Sequence, residues 1–199
     1  LSDILIGEVW ICSGQSNMEM RMMGNSAQPV DNSLETILNA GNYRDRIRFI
    51  TVPRIKDIQK RTDFEGKKWE VSSPETTIDC SATGYFFAKQ LTQSLNLPVG
   101  LVINSWGGSA IEAWMDEQTL STIEGMNIEA AKSPKRDVRQ RLECLYNLML
   151  WPVKNFTARG FLWYQGESNI SNYQFYAPMM TAMVQLWRNV WEAPDMPFY

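Results

Sequence analysis

The chain has 199 residues, a formal net charge of -3, 44% hydrophobic and 21% charged residues, and no histidine. That length suits one domain with a continuous core, and an acidic balance without a basic cluster argues against nucleic acid and anionic membrane as partners. No apolar run approaches the ~20 residues that cross a bilayer, residues 1–6 lack the pattern of a signal peptide, and Cys12, Cys80 and Cys144 are spaced for neither a disulfide framework nor a zinc site.

Apolar strand-like runs alternate with helical patterns, which predicts an α/β protein with a mainly parallel sheet. Residues 4–12 predict a first strand and residues 47–52 a second. Residues 54–80 read as polar and irregular apart from a short strand near Trp69, either an insertion or a pair of short strands. Residues 81–95 place Tyr85, Phe86, Ala88, Leu91 and Leu95 at helical spacing, and Leu97-Pro98 closes that helix. Residues 99–104 predict a strand. Ser133-Pro134 marks the start of a long helix, with Ser as cap and Pro in the first turn; Val138, Leu142, Leu145 and Met149 share its face up to Trp151-Pro152. Residues 161–164 predict another strand. A last helix to about Trp191 carries Met179, Met183, Leu186, Trp187 and Val190 on one face, with Pro178 suited to its first turn. Met196-Pro197-Phe198-Tyr199 reads as the opening of a further strand.

Three strand ends lead into loops of unusual chemistry: Gly14-Gln15-Ser16-Asn17-Met18, Asn104-Ser105-Trp106-Gly107-Gly108-Ser109, and Gln165-Gly166-Glu167-Ser168-Asn169. In open parallel sheets such loops gather at one edge, where backbone N–H groups point into a crevice. Acyl transfer needs a hydroxyl nucleophile and donors aimed at the oxyanion of the tetrahedral intermediate. Ser16 would supply the nucleophile and its own N–H, Gly107 or Gly108 a second N–H, and the Gln165 or Asn169 side chain a third donor. Taken singly, each loop reads more readily as structure than as chemistry: Gly14-Gln15-Ser16 as a capped turn, Gly107-Gly108 as a tight strand-to-helix turn, and Gln165 and Asn169 as supporting or capping residues; the three together carry the expectation.

Gly7-Glu8-Val9-Trp10-Ile11-Cys12-Ser13-Gly14-Gln15-Ser16-Asn17-Met18-Glu19-Met20, the Gly107-Gly108 loop, Leu145-Tyr146-Asn147-Leu148-Met149 with Trp151-Pro152, and Trp163-Tyr164-Gln165-Gly166-Glu167-Ser168-Asn169 resemble the sialate O-acetylesterase family of the SGNH hydrolase superfamily. The resemblance covers nearly the whole chain. It implies a flavodoxin-like three-layer α/β/α sandwich, and removal of O-acetyl groups from sugars, foremost sialic acid, without metal or organic cofactor. It matches Ser16 to the nucleophile, the Gly107-Gly108 turn to the oxyanion loop and residues 165–169 to a third block, in which Gln165 is favoured over Asn169 as donor. Substrate contacts are expected from Gln15, Asn17, Trp106, Glu167 and Tyr146, with Trp114 a further aromatic. An acetylated carbohydrate is the implied partner, and a secreted or periplasmic location the implied setting.

The family's late Asp-x-x-His block, which supplies the base, has no counterpart here. A lysine is a chemical substitute, but none adjoins the loops in sequence, and the carboxylates of Glu19 or Glu167, with an ordinary pKa of ~4.3, match a serine hydroxyl poorly. The expectation is a single esterase domain over residues 1–199, cut before the histidine block and therefore weak or inactive alone. Three other readings stand beside this one. An acetylxylan or other glycan esterase keeps the chemistry and changes the sugar. A non-catalytic sugar-binding module accounts for the eight tryptophans and the absent histidine. A glycosidase would use two carboxylates among Glu19, Glu112 and Glu167, roughly 5–9.5 Å apart.

Overall fold

The computed structural model describes residues 3–57, 59–64 and 68–199. Five strands, β1 (Glu8–Gly14), β2 (Ile47–Thr51), β3 (Glu70–Val71), β4 (Val99–Ser105) and β5 (Gly160–Tyr164), form one sheet in the order β3-β2-β4-β1-β5. β2, β4, β1 and β5 run parallel, and the two-residue β3 pairs antiparallel with β2. Side chains alternate between two buried clusters. Ile11, Ile50, Val102 and Phe161 face one, while Cys12, Phe49, Ile103 and Leu162 face the other. A sheet buried on both faces needs apolar residues on both, which is why its strands read as continuous apolar runs.

The helices are α1 (Ser16–Glu19), α2 (Ser33–Leu38), α3 (Pro74–Thr77), α4 (Ala82–Leu95), α5 (Glu117–Leu120), α6 (Ile128–Lys132), α7 (Trp151–Val153) and α8 (Tyr176–Val190). α4 packs Tyr85 and Ala88 into the second cluster, and its Gly84 lies so close to the sheet that an added Cβ would be 3.3 Å from Cys12 Sγ and Ile103 Cδ1. α8 packs Met179, Met183, Leu186 and Trp187 into the first cluster. Helices therefore cover both faces of a mainly parallel sheet, the predicted three-layer architecture. Ser81 caps α4 by accepting the Gly84 N–H at 3.0 Å, and its hydroxyl donates to Met18 O at 2.6 Å, tying α4 to α1.

Several boundaries differ from the sequence reading. β1 starts at Glu8 rather than residue 4, because the chain enters the sheet only where Glu8 N–H donates to Pro98 O at 3.0 Å; Ile4 and Ile6 are exposed. Within 54–80 the short strand expected near Trp69 is β3 and the structure adds α3, with residues 58 and 65–67 lying outside the described residues, as do residues 1 and 2 of the segment read for a signal peptide. Pro178 sits in the first turn of α8, and residues 197–199 bond alongside β5, Phe161 N–H donating to Pro197 O at 2.9 Å and Tyr199 N–H to Phe161 O at 3.0 Å.

The long helix expected from Ser133-Pro134 is overturned. α6 ends at Lys132, residues 133–143 are a chain of turns, and helix resumes only at residue 144, passing at once into a π-helical turn (Tyr146–Leu150) that runs into α7. Local polar groups win over the helical pattern there. The Asp137 carboxylate accepts the Arg139 backbone N–H at 2.9 Å, and Glu143 adopts φ +71°. Leu142, Leu145 and Met149 are nonetheless buried in the first cluster, so the apolar pattern marked burial correctly and the period wrongly.

Candidate active site

The connection leaving β1 packs through Ile37 and Ala40 on the second cluster, whereas the connection leaving β4 packs through Leu120, Ala131 and Leu145 on the first. Neighbouring strands whose connections part to opposite faces leave a crevice at their carboxyl ends. β1 lies between β4 and β5, with Gly14 level with both Ser105 and Tyr164. All three loops singled out in the sequence therefore meet at this edge.

Gly14 is the junction. Its φ is +132°, and a Cβ there would lie 2.2 Å from Tyr164 O, so only glycine fits. Its carbonyl accepts Trp106 N–H at 3.1 Å and Ser109 Oγ–H at 3.3 Å, while Gln15 N–H donates to Tyr164 O at 2.9 Å. The turn aims Ser16, the first residue of α1, outward, and Ser16 is exposed. Its hydroxyl has no hydrogen-bond partner among the described residues. Beside it lies a cavity of about 660 Å³ lined by Glu19, Arg21, Gln28, Arg54, Asp79 and Gly107, among others. Arg54 pairs with Glu19 at 2.9 Å and Arg21 with Asp79 at 3.1 Å.

Side chains from distant segments hold the Gly107-Gly108 loop. Arg54 Nε donates to Ser105 O at 2.9 Å, Arg139 Nη1 to Gly107 O at 3.1 Å and Gln165 Nε2 to Ser109 O at 3.0 Å. The Gly107 N–H donates to the Glu19 carboxylate. Gly108 has φ +77°, and its N–H has no partner among the described residues. Asp137 grips Arg139 through Nε at 2.8 Å and Nη2 at 3.3 Å, which holds the Asp137 carboxyl below its usual range.

The third loop is braced from beneath. Asn169 is buried and uses its whole amide: Oδ1 accepts Ile111 N–H at 3.0 Å and Gln165 Nε2–H at 2.8 Å, while Nδ2 donates to Glu112 Oε2 at 2.8 Å and Asn172 Oδ1 at 3.2 Å. Both Gln165 N–H groups are therefore committed, to Ser109 O and to Asn169, while Gln165 Oε1 is buried without a partner among the described residues. Burial pushes the Tyr176 phenol up, and its OH donates to Gln165 O at 2.7 Å. Gln15 is buried and accepts Ser168 N–H at 3.2 Å, and Asn17 Nδ2 donates to Glu167 Oε1 at 2.7 Å, so these two pairs join the first loop to the third.

Of the residues expected to contact substrate, Asn17 and Glu167 reach the edge as a bonded pair, Gln15 is a brace, and Trp106 is partly buried against the first cluster. Tyr146 does not join them. It is 4% exposed in the core, its ring centroid 5.8 Å from that of Trp151, and burial foremost pushes its phenol up to about 12. Trp114 is fully buried and donates to Ser109 Oγ at 3.1 Å. Among the described residues no group of three or more His, Cys, Asp or Glu side chains is arranged to hold a metal ion. Nothing in the sequence marks Arg54 or Arg139 as part of the site. Neither lies near a motif, and Arg139 falls within the stretch read as helix.

A family model described as carbohydrate esterase, sialic acid-specific acetylesterase, matches residues 6–199. Human sialate O-acetylesterase is 31% identical over 201 residues, which cover 94% of this chain and 36% of its own length. The rat enzyme of that name is 28% identical over 226 residues, covering 96% of this chain and 41% of its own. The chain thus spans little more than a third of the curated relatives it matches. Among solved structures, a carbohydrate acetylesterase from Xanthomonas citri aligns with a TM-score of 0.81 at 33% identity, over 96% of this chain and 40% of that one. NanS shares the fold alone, with a TM-score of 0.53 at 16% identity, over 98% of this chain and 67% of that one.

Proposed function

The chain belongs to the sialic acid-specific acetylesterase family of carbohydrate esterases, and from that membership we propose that it carries the nucleophile of an esterase that removes O-acetyl groups from carbohydrates, foremost sialic acid. The observation that carries this reading is the exposed Ser16 at the end of β1, set against the glycine loop that follows β4. Attack of Ser16 Oγ on the acetyl carbonyl forms the new C–O bond and an oxyanion; collapse expels the sugar alkoxide, which takes a proton, and leaves acetyl-Ser16. Water then releases acetate. Backbone donors at the oxyanion lower the barrier, each typically by about 3 kcal/mol. A base must take the Ser16 proton, and we assign it to no residue of this histidine-free chain. A secreted or periplasmic setting fits a glycan substrate and is part of the same proposal. No described helix is long and apolar enough to cross a membrane.

The test supplies the base from solution. With imidazole and p-nitrophenyl acetate, intact-protein and peptide mass spectrometry is expected to find an acetyl group on Ser16, with that adduct absent from Ser16→Ala. Equal labelling of the two proteins sinks the reading and leaves a sugar-binding module. A second reading, esterase action on a neutral acetylated glycan, is favoured by the cleft itself, where Arg54 and Arg21 are each already paired with a carboxylate. Acylation of Ser16 by an acetylated xylo-oligosaccharide but not by a 9-O-acetylated sialic acid would select it.

A further inference from the structure

Resting on the acyl-transfer reading of Ser16, we propose that Arg139 is a positioning residue, which turns the peptide joining Gly107 and Gly108 so that the Gly108 N–H is this loop's oxyanion donor. The Gly107 N–H cannot serve while it donates to Glu19, because a carboxylate and an oxyanion would compete for one hydrogen and repel each other. The next peptide is different. Its carbonyl, Gly107 O, is drawn onto Arg139 Nη1 at 3.1 Å. In a planar trans peptide the N–H points opposite to the C=O, so fixing that carbonyl on Arg139 sends the Gly108 N–H away from Arg139. The loop also lies against the nucleophile: a Cβ on Gly107 would sit 3.7 Å from both Cα and Cβ of Ser16.

The device has its own support. Asp137 grips two guanidinium nitrogens of Arg139, and the Arg139 carbonyl accepts Ala110 N–H at 3.0 Å, so main chain and side chain of one residue both fasten the loop. Glycine is favoured at 108 for two reasons. The φ of +77° disfavours a side chain, and a Cβ would press to 3.3 Å from Arg139 Nη1. The turns that replace the expected helix at 133–143 are what bring Arg139 to this place.

Two readouts test the proposal on Arg139→Ala and Arg139→Lys, each first checked for a native melting transition. The first is titration with sodium acetate, the product anion, followed by the Gly108 amide proton resonance. It is expected to move downfield in the wild type, with affinity at least ~10-fold weaker in Arg139→Ala and partly retained in Arg139→Lys. The second is the rate of imidazole-assisted Ser16 acetylation, expected to fall ~10- to 100-fold in Arg139→Ala and to recover in part with added guanidinium chloride at sub-denaturing concentration. A Gly108 resonance indifferent to acetate in the wild type, or unchanged in Arg139→Ala, overturns the assignment. If acetate shifts Gly108 as described but Ser16 is never acetylated, Arg139 still orients the Gly108 N–H as an anion donor, and the esterase reading falls together with the oxyanion role.

Discussion

At the scale of single residues, the site hangs on Gly14. Its φ of +132° and the 2.2 Å that would separate a Cβ from Tyr164 O leave no room for relaxation, because the obstructing atom is backbone of a paired strand. Gly14→Ala is therefore expected to lose more than about 2 kcal/mol of stability, measured by urea unfolding, and to lose Ser16 acetylation with it. An unchanged unfolding midpoint would show that the turn yields. Gly14-Gln15-Ser16 was legible as a turn that presents a serine. That Tyr164 makes the glycine obligatory was not, because the two residues meet only when β1 and β5 pair.

At the scale of elements, the informative segment is 133–143. Its apolar spacing predicts helix, yet Asp137 turns the chain by binding the Arg139 backbone and guanidinium together. The Asp137 carboxyl is held below its usual range, foremost by the Arg139 side chain. A group whose folded pKa is depressed stabilises the fold above its unfolded value of ~3.9, and that contribution disappears as pH falls through the lower folded value. Thermal melts should therefore find Asp137→Asn less stable than the wild type at pH 7, with the gap closing below about pH 4. The gap should be small, since the pair is solvent-exposed. A gap equal at pH 7 and in acid would remove Asp137 from the account.

At the scale of the whole molecule, the loops are joined by a buried polar column as well as by neighbouring strands. Glu112, 1% exposed, takes the Asn169 and Asn172 amides; Asn169 in turn holds Ile111 and Gln165, and Gln165 holds Ser109. Removing one member orphans its partners, of which Glu112 and Asn169 are buried away from water. Glu112→Ala is expected to cost about 3 kcal/mol and to slow Ser16 acetylation, whereas Glu112→Gln, which keeps one acceptor oxygen, should lose less; a neutral Glu112→Ala in chemical unfolding would dissolve the column. A glycosidase role for Glu112 is disfavoured by the same geometry, because both carboxylate oxygens are occupied beneath the loops.

The sequence by itself determined the fold class, the strands from 47, 99 and 161 onward, the helices beginning near 82 and ending near 190, and the three loops with their serine, glycines and amides. These are local properties: apolar runs bury, Ser81 caps, and Gly14 permits a turn no other residue makes. Tertiary structure alone decided the strand order that gathers the loops, the burial of Tyr146, the commitment of the Gln165 and Asn169 amides to bracing, and the arrival of Arg54 and Arg139 at the glycine loop. Each depends on a partner far away in sequence, Gly107 and Arg139 being joined across 32 positions and Asn17 and Glu167 across 150. A hydrogen bond between such partners leaves no periodicity in either segment, so its chemistry becomes readable only once the sheet has placed them side by side.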